Sequence, residues 1–478
     1  MPFTQAMREP RADPELLRRA AELAVEYLAE LPERPVGRPI APELLRKALG
    51  RELADQGEDP ASVIEELARG VDPGLVATAG PRYFGFVIGG SLPVTVATAW
   101  LAAAWDQNAG NYPASPAASV VEEVAGGWLR DLFGLPAGVS FGFVTGGTMA
   151  NFTALAAARH AVLGQAGVDV EADGLFGAPP VTVVVGAEAH TTIFVALRML
   201  GLGGDRVTRV AADAQGRMRP DELRRALTGI SGPTIVCAQS GNVNSGAFDP
   251  LREIADATNE IGAWLHVDGA FGLWAAASPT ISHYLDGHTG AQSWATDAHK
   301  WLNVPYDCGL VFVRDPEAHR AAMAVTAAYL VRGAEAYNAY DYVPESSRQA
   351  RGLSVYTALR TLGRSGVAAL VERCCAQARR MADRLSAASG ASILNDVVLN
   401  QVLVRFAAAA DDGPSADKRT QAVIDAVQRD GTCWLGGTTW HGVGAMRISV
   451  SNWSTSEADI DQSAEAILRC AASEGVPV

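Results

Sequence analysis

Two charged residues that follow strand-like apolar runs are the first candidates for chemistry. Lys300 stands in the stretch 293-SWATDAHKWLNVPYDCG-309, and Asp268 ends the apolar part of 263-AWLHVDGAFG-272. Burial of an ammonium loses hydration free energy. A lysine in such a run therefore either reaches the surface or acts as an uncharged, reactive amine. A carboxylate at a strand end needs a partner, commonly a cation or a protonated ring nitrogen, although a helix cap or a buried ion pair explains it equally well.

A glycine pair and a histidine follow two further strand-like runs. The segment 141-FGFVTGGTMANFTAL-155 has the pattern of a strand, a Gly-Gly turn and a helix that begins near Thr148. Glycines let a backbone approach an anion, and the free N–H groups of a helix start bind it, but such a turn is also compatible with a tight connection alone. His190 follows 181-VTVVVG-186 and is either an ordinary loop residue or a ring that contacts a ligand. Neither GxGxxG nor GxxxxGK[ST] occurs in the glycine segment, which excludes the dinucleotide and P-loop motifs there.

These four signals together suit one cofactor. Ligands of open α/β sheets bind at the carboxyl ends of strands. A phosphate cradle, a flat histidine, a carboxylate for a pyridinium nitrogen and an amine for a Schiff base favour pyridoxal 5′-phosphate. On this interpretation Lys300 is the lysine that carries the cofactor.

The pattern between about residues 86 and 320 predicts the elements that position these side chains. Short apolar runs alternate with helical stretches, which favours an α/β fold with a mostly parallel sheet covered by helices. The strand candidates are 141–145, 181–186, 234–239, 263–268 and 308–313, and the helical stretches are 149–163, 191–201, 220–228 and 250–261.

A three-part organisation is predicted. Residues 1–85 form a helical segment with an apolar stripe over 14–31 and four prolines in 32–42, and this segment has little core of its own. We therefore expect it to pack on the main body or on a second subunit. Residues 86–360 form the large cofactor-binding domain, and residues 361–478 form a small C-terminal α+β domain.

Composition limits the partners and the location. The 478 residues are 48% apolar and carry a formal charge of −14 without a long Lys/Arg run, so nucleic acid is not expected as a partner. The six cysteines lack any C-x-x-C spacing, which predicts reduced thiols and no metal site. The longest apolar run, 93-PVTVATAWLAAAW-105, is too short to span a bilayer, and the first residues lack the apolar core of a signal peptide. We expect a cytoplasmic protein without a membrane span.

The order and spacing of seven motifs resemble a known family. They are "PRYFGF", "VTGGTMAN", "AEAH", "GAFDP", "LHVDGAFG", "DAHKW" and "MRISVSNW", and they extend over essentially the whole chain. The sequence is similar to the group II pyridoxal-phosphate-dependent decarboxylases, which include the aromatic amino acid, glutamate, tyrosine and histidine decarboxylases. The resemblance implies fold type I, that of the pyridoxal-phosphate-dependent transferases, and a homodimer in which the front segment is exchanged.

The resemblance also implies a role for each cofactor contact. Lys300 would form the Schiff base, and Asp268 would keep the pyridine nitrogen protonated so that the ring accepts electrons. His190 would stack on one face of the cofactor ring, and Ala270 would lie under the opposite face. Gly147, Thr148 and His299 would contact the phosphate.

A tyrosine on a mobile loop is implied as the proton donor to the substrate Cα. The corresponding stretch here, 326–352, contains four tyrosines, of which Tyr329 and Tyr337 are our candidates for catalysis; Tyr340 and Tyr342 are the others. Each of them fits a packing role in a lid equally well.

Departures from aromatic-specific relatives bear on the substrate. Phe86 and Ile88 stand where those relatives have a tyrosine and a proline, and Asn108 replaces a bulky apolar residue. These three predicted substrate contacts indicate a wider and more polar pocket mouth, so a small or polar amino acid is expected at least as much as an aromatic one. Asp297 and Ala298 stand where many relatives have Asn-Pro.

The function expected first is decarboxylation of an L-amino acid to an amine and CO2. An aldehyde-forming enzyme is the first alternative, because oxygen intercepts the carbanion when the loop tyrosine does not protonate it. A carbon–carbon lyase would use the same lysine, but we see no basic cluster for a substrate phosphate. A non-catalytic protein of this fold is least expected, since Lys300, Asp268 and His190 are all present.

Overall fold

The computed structural model describes residues 13–37, 39–324 and 336–478. Three helices open the described chain: α1 (Pro14–Glu30), α2 (Pro42–Leu49) and α3 (Pro60–Val71). Each begins at a proline, which suits the first helical turn because the N–H that proline lacks has no partner there. The three described helices bury no side chain. The three helices therefore contribute almost nothing to a core within one chain, whereas Val36, Ala77 and Phe84 of the same front segment are buried.

A seven-stranded sheet forms the centre of the molecule, with the strand order β1-β7-β6-β5-β4-β2-β3. Four neighbouring pairs are parallel, whereas β7 runs antiparallel to both β6 and β1. The strands are β1 (Ser140–Val144), β2 (Thr182–Gly186), β3 (Val207–Val210), β4 (Thr234–Gln239), β5 (Trp264–Asp268), β6 (Ser293–Asp297) and β7 (Gly309–Val313). The predicted mostly parallel α/β sheet is confirmed.

Helices cover both faces of this sheet. Side chains of a strand alternate between its faces, so Val236 and Leu265 lie in one apolar core, whereas Ile235 and Cys237 lie in the other. The helices are α4 (Pro93–Trp105), α5 (Pro116–Leu132), α6 (Gly147–Gln165), α7 (Val170–Asp173), α8 (Thr191–Met199), α9 (Pro220–Leu227), α10 (Leu251–Glu260) and α11 (Pro316–Met323).

A second, four-stranded antiparallel sheet with the order β10-β11-β9-β8 lies in the C-terminal part. Its elements are α12 (Gly352–Ser386), β8 (Ala391–Ile393), β9 (Gln401–Phe406), α13 (Gly413–Asp430), β10 (Gly436–Trp440), β11 (Val443–Ser449) and α14 (Glu457–Ser473). Phe84 joins this part, because its N–H donates to the Trp434 carbonyl at 2.8 Å and its carbonyl accepts from the Ser449 N–H at 2.9 Å. The domain limits 1–85, 86–360 and 361–478 stay a prediction.

Strand β6, which leads to Lys300, was not among the predicted strands. Its sequence, SWATD, mixes polar and small residues and is only five residues long. It is nevertheless buried throughout, because it lies between β5 and β7. Among the described residues, no helix combines the length and apolar character that a bilayer crossing requires.

Candidate active site

The register of the sheet brings three predicted segments to one edge. Gly309 of β7 lies opposite Val144, the last residue of β1, and opposite Asp297, the last residue of β6. Asp268, the last residue of β5, lies opposite Ala295 of β6. The Gly-Gly turn after β1, the carboxylate after β5 and the lysine after β6 therefore share one edge of the sheet.

Lys300 does not extend to the surface. Its side chain is 19% exposed, and its Nζ lies 2.9 Å from Oδ2 of Asp297, whose side chain is 3% exposed. The Asp297 backbone is fixed, since its N–H donates to the Ala270 carbonyl at 2.9 Å and its carbonyl accepts from Trp274 Nε1–H at 3.0 Å. The other carboxylate oxygen, Oδ1, is buried and has no hydrogen-bond partner among the described residues.

Asp268 is also buried, but both of its carboxylate oxygens accept hydrogen bonds. Oδ1 accepts from the Ala270 N–H at 3.1 Å, and Oδ2 accepts from Asn151 Nδ2 at 3.1 Å. Asn151 Nδ2 also donates to Thr192 Oγ1 at 3.1 Å. The carboxylate is therefore held by two neutral donors.

Asn151 is in turn held by a buried histidine, His266. The His266 Nε2 lies 2.9 Å from Asn151 Oδ1, and Nδ1 lies 3.0 Å from Ser293 Oγ. Trp264 Nε1–H donates to Ser293 Oγ at 2.9 Å, so the Ser293 hydroxyl donates to Nδ1 and the ring hydrogen is assigned to Nε2. Burial lowers the pKa of His266 to about 4. We call Trp264, Ser293, His266 and Asn151 the Asp268 relay; it is neutral at neutral pH.

His190 caps α8 and is half-buried at the same edge. Its Nδ1 accepts from the Thr192 N–H at 3.4 Å and lies 2.9 Å from Thr192 Oγ1. Burial lowers the pKa of His190, and the charges of Lys300 and Arg447 lower it further, whereas Asp268 opposes this effect. The ring is therefore uncharged at neutral pH and suited to stacking on a flat ligand.

The glycine turn brings the backbone close to His299 and Asp297, as only glycine allows. A Cβ on Gly146 would lie 3.2 Å from the His299 ring, and a Cβ on Gly147 would lie 3.0 Å from Oδ2 of Asp297. Gly147 begins α6, a helix of 19 residues, and Thr148 follows in the first turn, whose N–H groups have no helical acceptor. Three groups at this edge fit pyridoxal 5′-phosphate: the lysine amine for its aldehyde, the Asp268 carboxylate for its ring nitrogen and this turn for its phosphate. The Asp297 carboxylate is a fourth, anionic neighbour.

His299 lies between this cradle and the rest of the loop. Its Nδ1 accepts from the Cys308 N–H at 3.1 Å, and its ring stacks on Tyr306 at 4.4 Å between centroids. Its Nε2 lies 3.7 Å from Oδ1 of Asp297. Burial is the largest influence on the pKa of His299 and lowers it.

The structure shows a contact with Lys300 that sequence reasoning missed. A Cβ on Gly89 would collide with the Lys300 carbonyl oxygen. The next residue, Gly90, donates its N–H to Asn303 Oδ1 at 2.7 Å. Asn303 adopts φ 55° and its Nδ2 donates to the Trp301 carbonyl at 2.9 Å. The glycine pair after "PRYFGF" was the available signal, because paired glycines mark close backbone approach.

The predicted substrate residues have different surroundings. Phe86 adopts φ 52°, is 60% exposed and lies 5.3 Å from the Trp434 ring, whereas Ile88 is half-buried. Asn108 is exposed, and its Oδ1 accepts from the Arg348 N–H at 3.1 Å. Within one chain, Asn108 thus contacts the segment around Arg348, while Phe86 belongs to the turn that leads to Gly89.

The two tyrosine candidates for catalysis also differ. Tyr329 lies outside the described residues. Tyr337 is half-buried; its hydroxyl donates to the Phe141 carbonyl at 3.3 Å, and its ring stacks on Tyr342 at 5.7 Å. Phe141 is near the start of β1, away from the end that leads to the glycine turn. Burial raises the pKa of Tyr337 well above its usual value. These contacts are those of a packing anchor, and Tyr340 is fully buried.

Comparisons with known proteins agree with this geometry. Residues 42–407 match the family model described as pyridoxal-dependent decarboxylase conserved domain. An aromatic-L-amino-acid decarboxylase from Bacillus atrophaeus is 31% identical over 62% of this chain, and the matched region spans 61% of that relative. An L-2,4-diaminobutyrate decarboxylase from Rhizobium meliloti is 32% identical over 74% of this chain and 70% of its own length.

A solved structure supports the same assignment. The crystal structure of mouse CSAD superposes with a TM-score of 0.89 and 27% identity, covering 96% of this chain and 99% of that one. The predicted family resemblance, fold type and cofactor are confirmed. The chain therefore belongs to the family of pyridoxal-phosphate-dependent amino acid decarboxylases.

Proposed function

We propose that this chain removes the α-carboxylate of a polar L-amino acid as CO2 and releases a primary amine, with the cofactor bound to Lys300. The observation that carries the proposal is the convergence of Lys300, Asp268, His190 and the Gly147 turn at one edge of the sheet. These residues come from four separate segments that end at the same edge of the sheet, and their chemistry suits a flat phosphorylated pyridine.

Each residue has a task that its surroundings support. The bound cofactor supplies an electron-accepting ring, which is the chemistry that decarboxylation needs. Asp268, held by Ala270 and Asn151, would keep the ring nitrogen protonated. His190, neutral and half-buried, would stack on the ring and help exclude water. Exclusion of water strengthens the electrostatic interactions at the reacting carbon.

Arg447 is our candidate for the residue that binds the substrate carboxylate. It lies on β11, and its charge lowers the pKa of His190. Its Nη1 lies 3.5 Å from Asn244 Oδ1, and among the described residues it forms no ion pair. Burial lowers the pKa of Arg447. A half-buried cation without a carboxylate partner is suited to an anionic substrate group.

The preference for a polar side chain rests on the cavity beside the His299–Tyr306 stack. This cavity has a volume of about 170 Å³ and includes the polar residues Gln107, Tyr306 and Arg351 in its lining. Asn108 is the next residue after Gln107. Polar groups in a pocket discriminate strongly against ligands that leave them unpaired, so we expect the polar members of a substrate panel to react fastest.

A second copy of the chain is proposed as the partner. Helix α4 exposes Trp100, Leu101 and Trp105 by 41%, 49% and 52%, and α1 to α3 bury no side chain. Large apolar side chains in one exposed region indicate an interface. Light scattering after size exclusion should give twice the mass of one chain for the wild type and a reduced mass for Trp105→Glu. A cytoplasmic location stays a prediction.

The test of the function is CO2 release together with product mass. Purified protein with added pyridoxal phosphate is offered a panel of acidic, aromatic, basic and sulfur amino acids. Amine and CO2 in equal amounts support the proposal. An aldehyde with ammonia would favour the oxidative alternative, and cofactor binding without turnover on any substrate would favour a non-catalytic protein. An amino alcohol phosphate is offered as a separate substrate, and its cleavage would favour the lyase.

A further inference from the structure

We propose that Asp297 makes phosphate binding at the glycine turn proton-coupled, so that the cofactor phosphate binds together with one additional proton shared with the Asp297 carboxylate. This inference rests on the cofactor placement proposed above, because it assumes that the phosphate occupies the Gly147 turn. It concerns binding and not turnover. It also assigns a function to a carboxylate that the decarboxylation steps do not use.

The geometry places a negative charge at the phosphate end of the site. Oδ2 of Asp297 would lie only 3.0 Å from a Cβ on Gly147, and Oδ1 would lie 3.8 Å from a Cβ on Gly146. The Asp297 side chain is 3% exposed, so water screens its charge poorly. A phosphate monoester carries close to two negative charges above its second pKa of about 6. The carboxylate and the phosphate dianion therefore repel each other in this turn, and the Lys300 ammonium at 2.9 Å from Oδ2 offsets only part of that repulsion.

The orphan oxygen of Asp297 indicates how the repulsion is relieved. Oδ2 contacts Lys300, but Oδ1 has no hydrogen-bond partner among the described residues. A buried acceptor without a donor is unfavourable, because it has lost its hydrogen bonds to water and gained none in return. A proton held between Oδ1 and a phosphate oxygen supplies that donor and removes one negative charge at the same time.

The neighbouring titratable groups do not offer a better place for this proton. His299 faces Oδ1, but its Nδ1 already accepts from the Cys308 N–H, so the neutral ring carries its hydrogen on Nε2 and protonation of Nδ1 would break that bond. Burial raises the pKa of Tyr306 to about 12 and also raises that of the Cys308 thiol. The charge of Asp297 affects the pKa of His190 less than the charge of Asp268 does. Among the residues that the structure describes, Lys300 is the one lysine or arginine in direct contact with Asp297.

Calorimetric titration of the full-length chain, after removal of the cofactor with hydroxylamine, measures this proton directly. The ligand is 4-deoxypyridoxine 5′-phosphate, which keeps the ring and the phosphate but lacks the aldehyde. Titrations at pH 8 in two buffers with different ionisation enthalpies give the number of protons taken up. We expect wild type to take up about one proton more than Asp297→Asn, because the phosphate has lost its second proton at this pH.

Affinity gives a second readout. The wild-type Kd should rise by up to about tenfold per pH unit above pH 7, since each binding event consumes a proton, whereas the Kd of Asp297→Asn should be less dependent on pH and lower at pH 8. Asp307→Asn is the matched control. Asp307 also lies near His299, but its carboxylate is paired with Arg351 at 2.8 Å, so this variant should keep the wild-type uptake.

The outcomes separate this inference from the proposed function. Equal proton uptake by wild type and Asp297→Asn would overturn the inference while leaving the cofactor placement intact. Failure of wild type to bind the ligand at all would overturn both. Asp297→Ala is the second variant, and its thermal unfolding and that of Asp297→Asn establish that each is folded; loss of the extra proton in both variants is the result that supports the inference.

Discussion

Two buried aspartates end neighbouring strands of the same sheet, yet their surroundings are opposite. Asp268 ends β5, and both of its oxygens accept hydrogen bonds from neutral donors. Asp297 ends β6, and one oxygen contacts Lys300 whereas the other has no partner among the described residues. The difference shows that burial and strand position do not determine what a carboxylate does. Asp268 has a permanent set of donors, whereas Asp297 depends on groups that move or bind.

The largest expected effect comes from removing Lys300, the cation that contacts Asp297. Lys300→Ala should lower CO2 release by about 10³-fold or more, because the amine that carries the cofactor is lost. The same variant should lose the visible absorption of the bound cofactor. Lys300→Arg is the matched control for charge: it keeps a cation beside Asp297 but should be equally inactive. Normal activity in either variant would contradict the assignment.

Asp268→Asn is expected to have the next largest effect. The amide has the same shape as the carboxylate but does not keep the ring nitrogen protonated, so CO2 release should fall by about 10³-fold while cofactor is retained. The two-aspartate comparison is sharpened by Asp297→Asn, which removes the same charge from the neighbouring strand and should lower activity much less. Equal losses in the two variants would show that the aspartates are equivalent.

Acid should lower the free energy of unfolding, because it protonates His266 in the Asp268 relay. The folded-state pKa of His266 is about 4, below the ordinary value of 6.5, so the unfolded chain binds the proton first as pH falls. The stabilisation is complete above pH 6.5 and is lost as pH falls towards 4, which amounts to about 3 kcal/mol of unfolding free energy. Urea unfolding across this range measures it. His266→Gln should show a shallower pH dependence, and an unchanged slope would contradict the assignment.

The smallest effects on activity are expected from substitutions within the Asp268 relay. Asn151→Leu keeps a similar volume but leaves Asp268 Oδ2 and His266 Nε2 without a partner, so unfolding free energy should fall by about 1–3 kcal/mol and CO2 release by about tenfold. Trp264→Phe removes only the outermost donor of the relay, 2.9 Å from Ser293 Oγ, and should lower activity less. A larger loss for Trp264→Phe than for Asn151→Leu would contradict the relay.

The sequence predicted Asp268 because it ends an apolar run, and Lys300 because it is a lysine in a stretch with the character of a core. The β-like runs and the helices between them also predicted the mostly parallel sheet. Strand β6 was missed, since SWATD has neither alternation nor a β-branched run. Its burial results from its position between β5 and β7, which depends on the order of strands in the sheet.

The relay could not be predicted from the sequence for a different reason. Asn151, His266 and Ser293 are separated by 115 and 27 residues, so no local spacing links them. His266 is even part of the motif "LHVDGAFG", but only the fold shows that its ring is directed to Asn151. The same limit applies to Tyr337, whose hydrogen bond to Phe141 joins residues 196 positions apart.

The most direct test of the central claim is to identify the residue that carries the cofactor. The chain contains three lysines, Lys47, Lys300 and Lys418, and the first and last are exposed on helices. The protein loaded with pyridoxal phosphate is reduced with sodium borohydride and digested, and the peptides are weighed. We predict a phosphopyridoxyl group on Lys300 alone. The same group on Lys47 or Lys418, or on no lysine, would contradict the account.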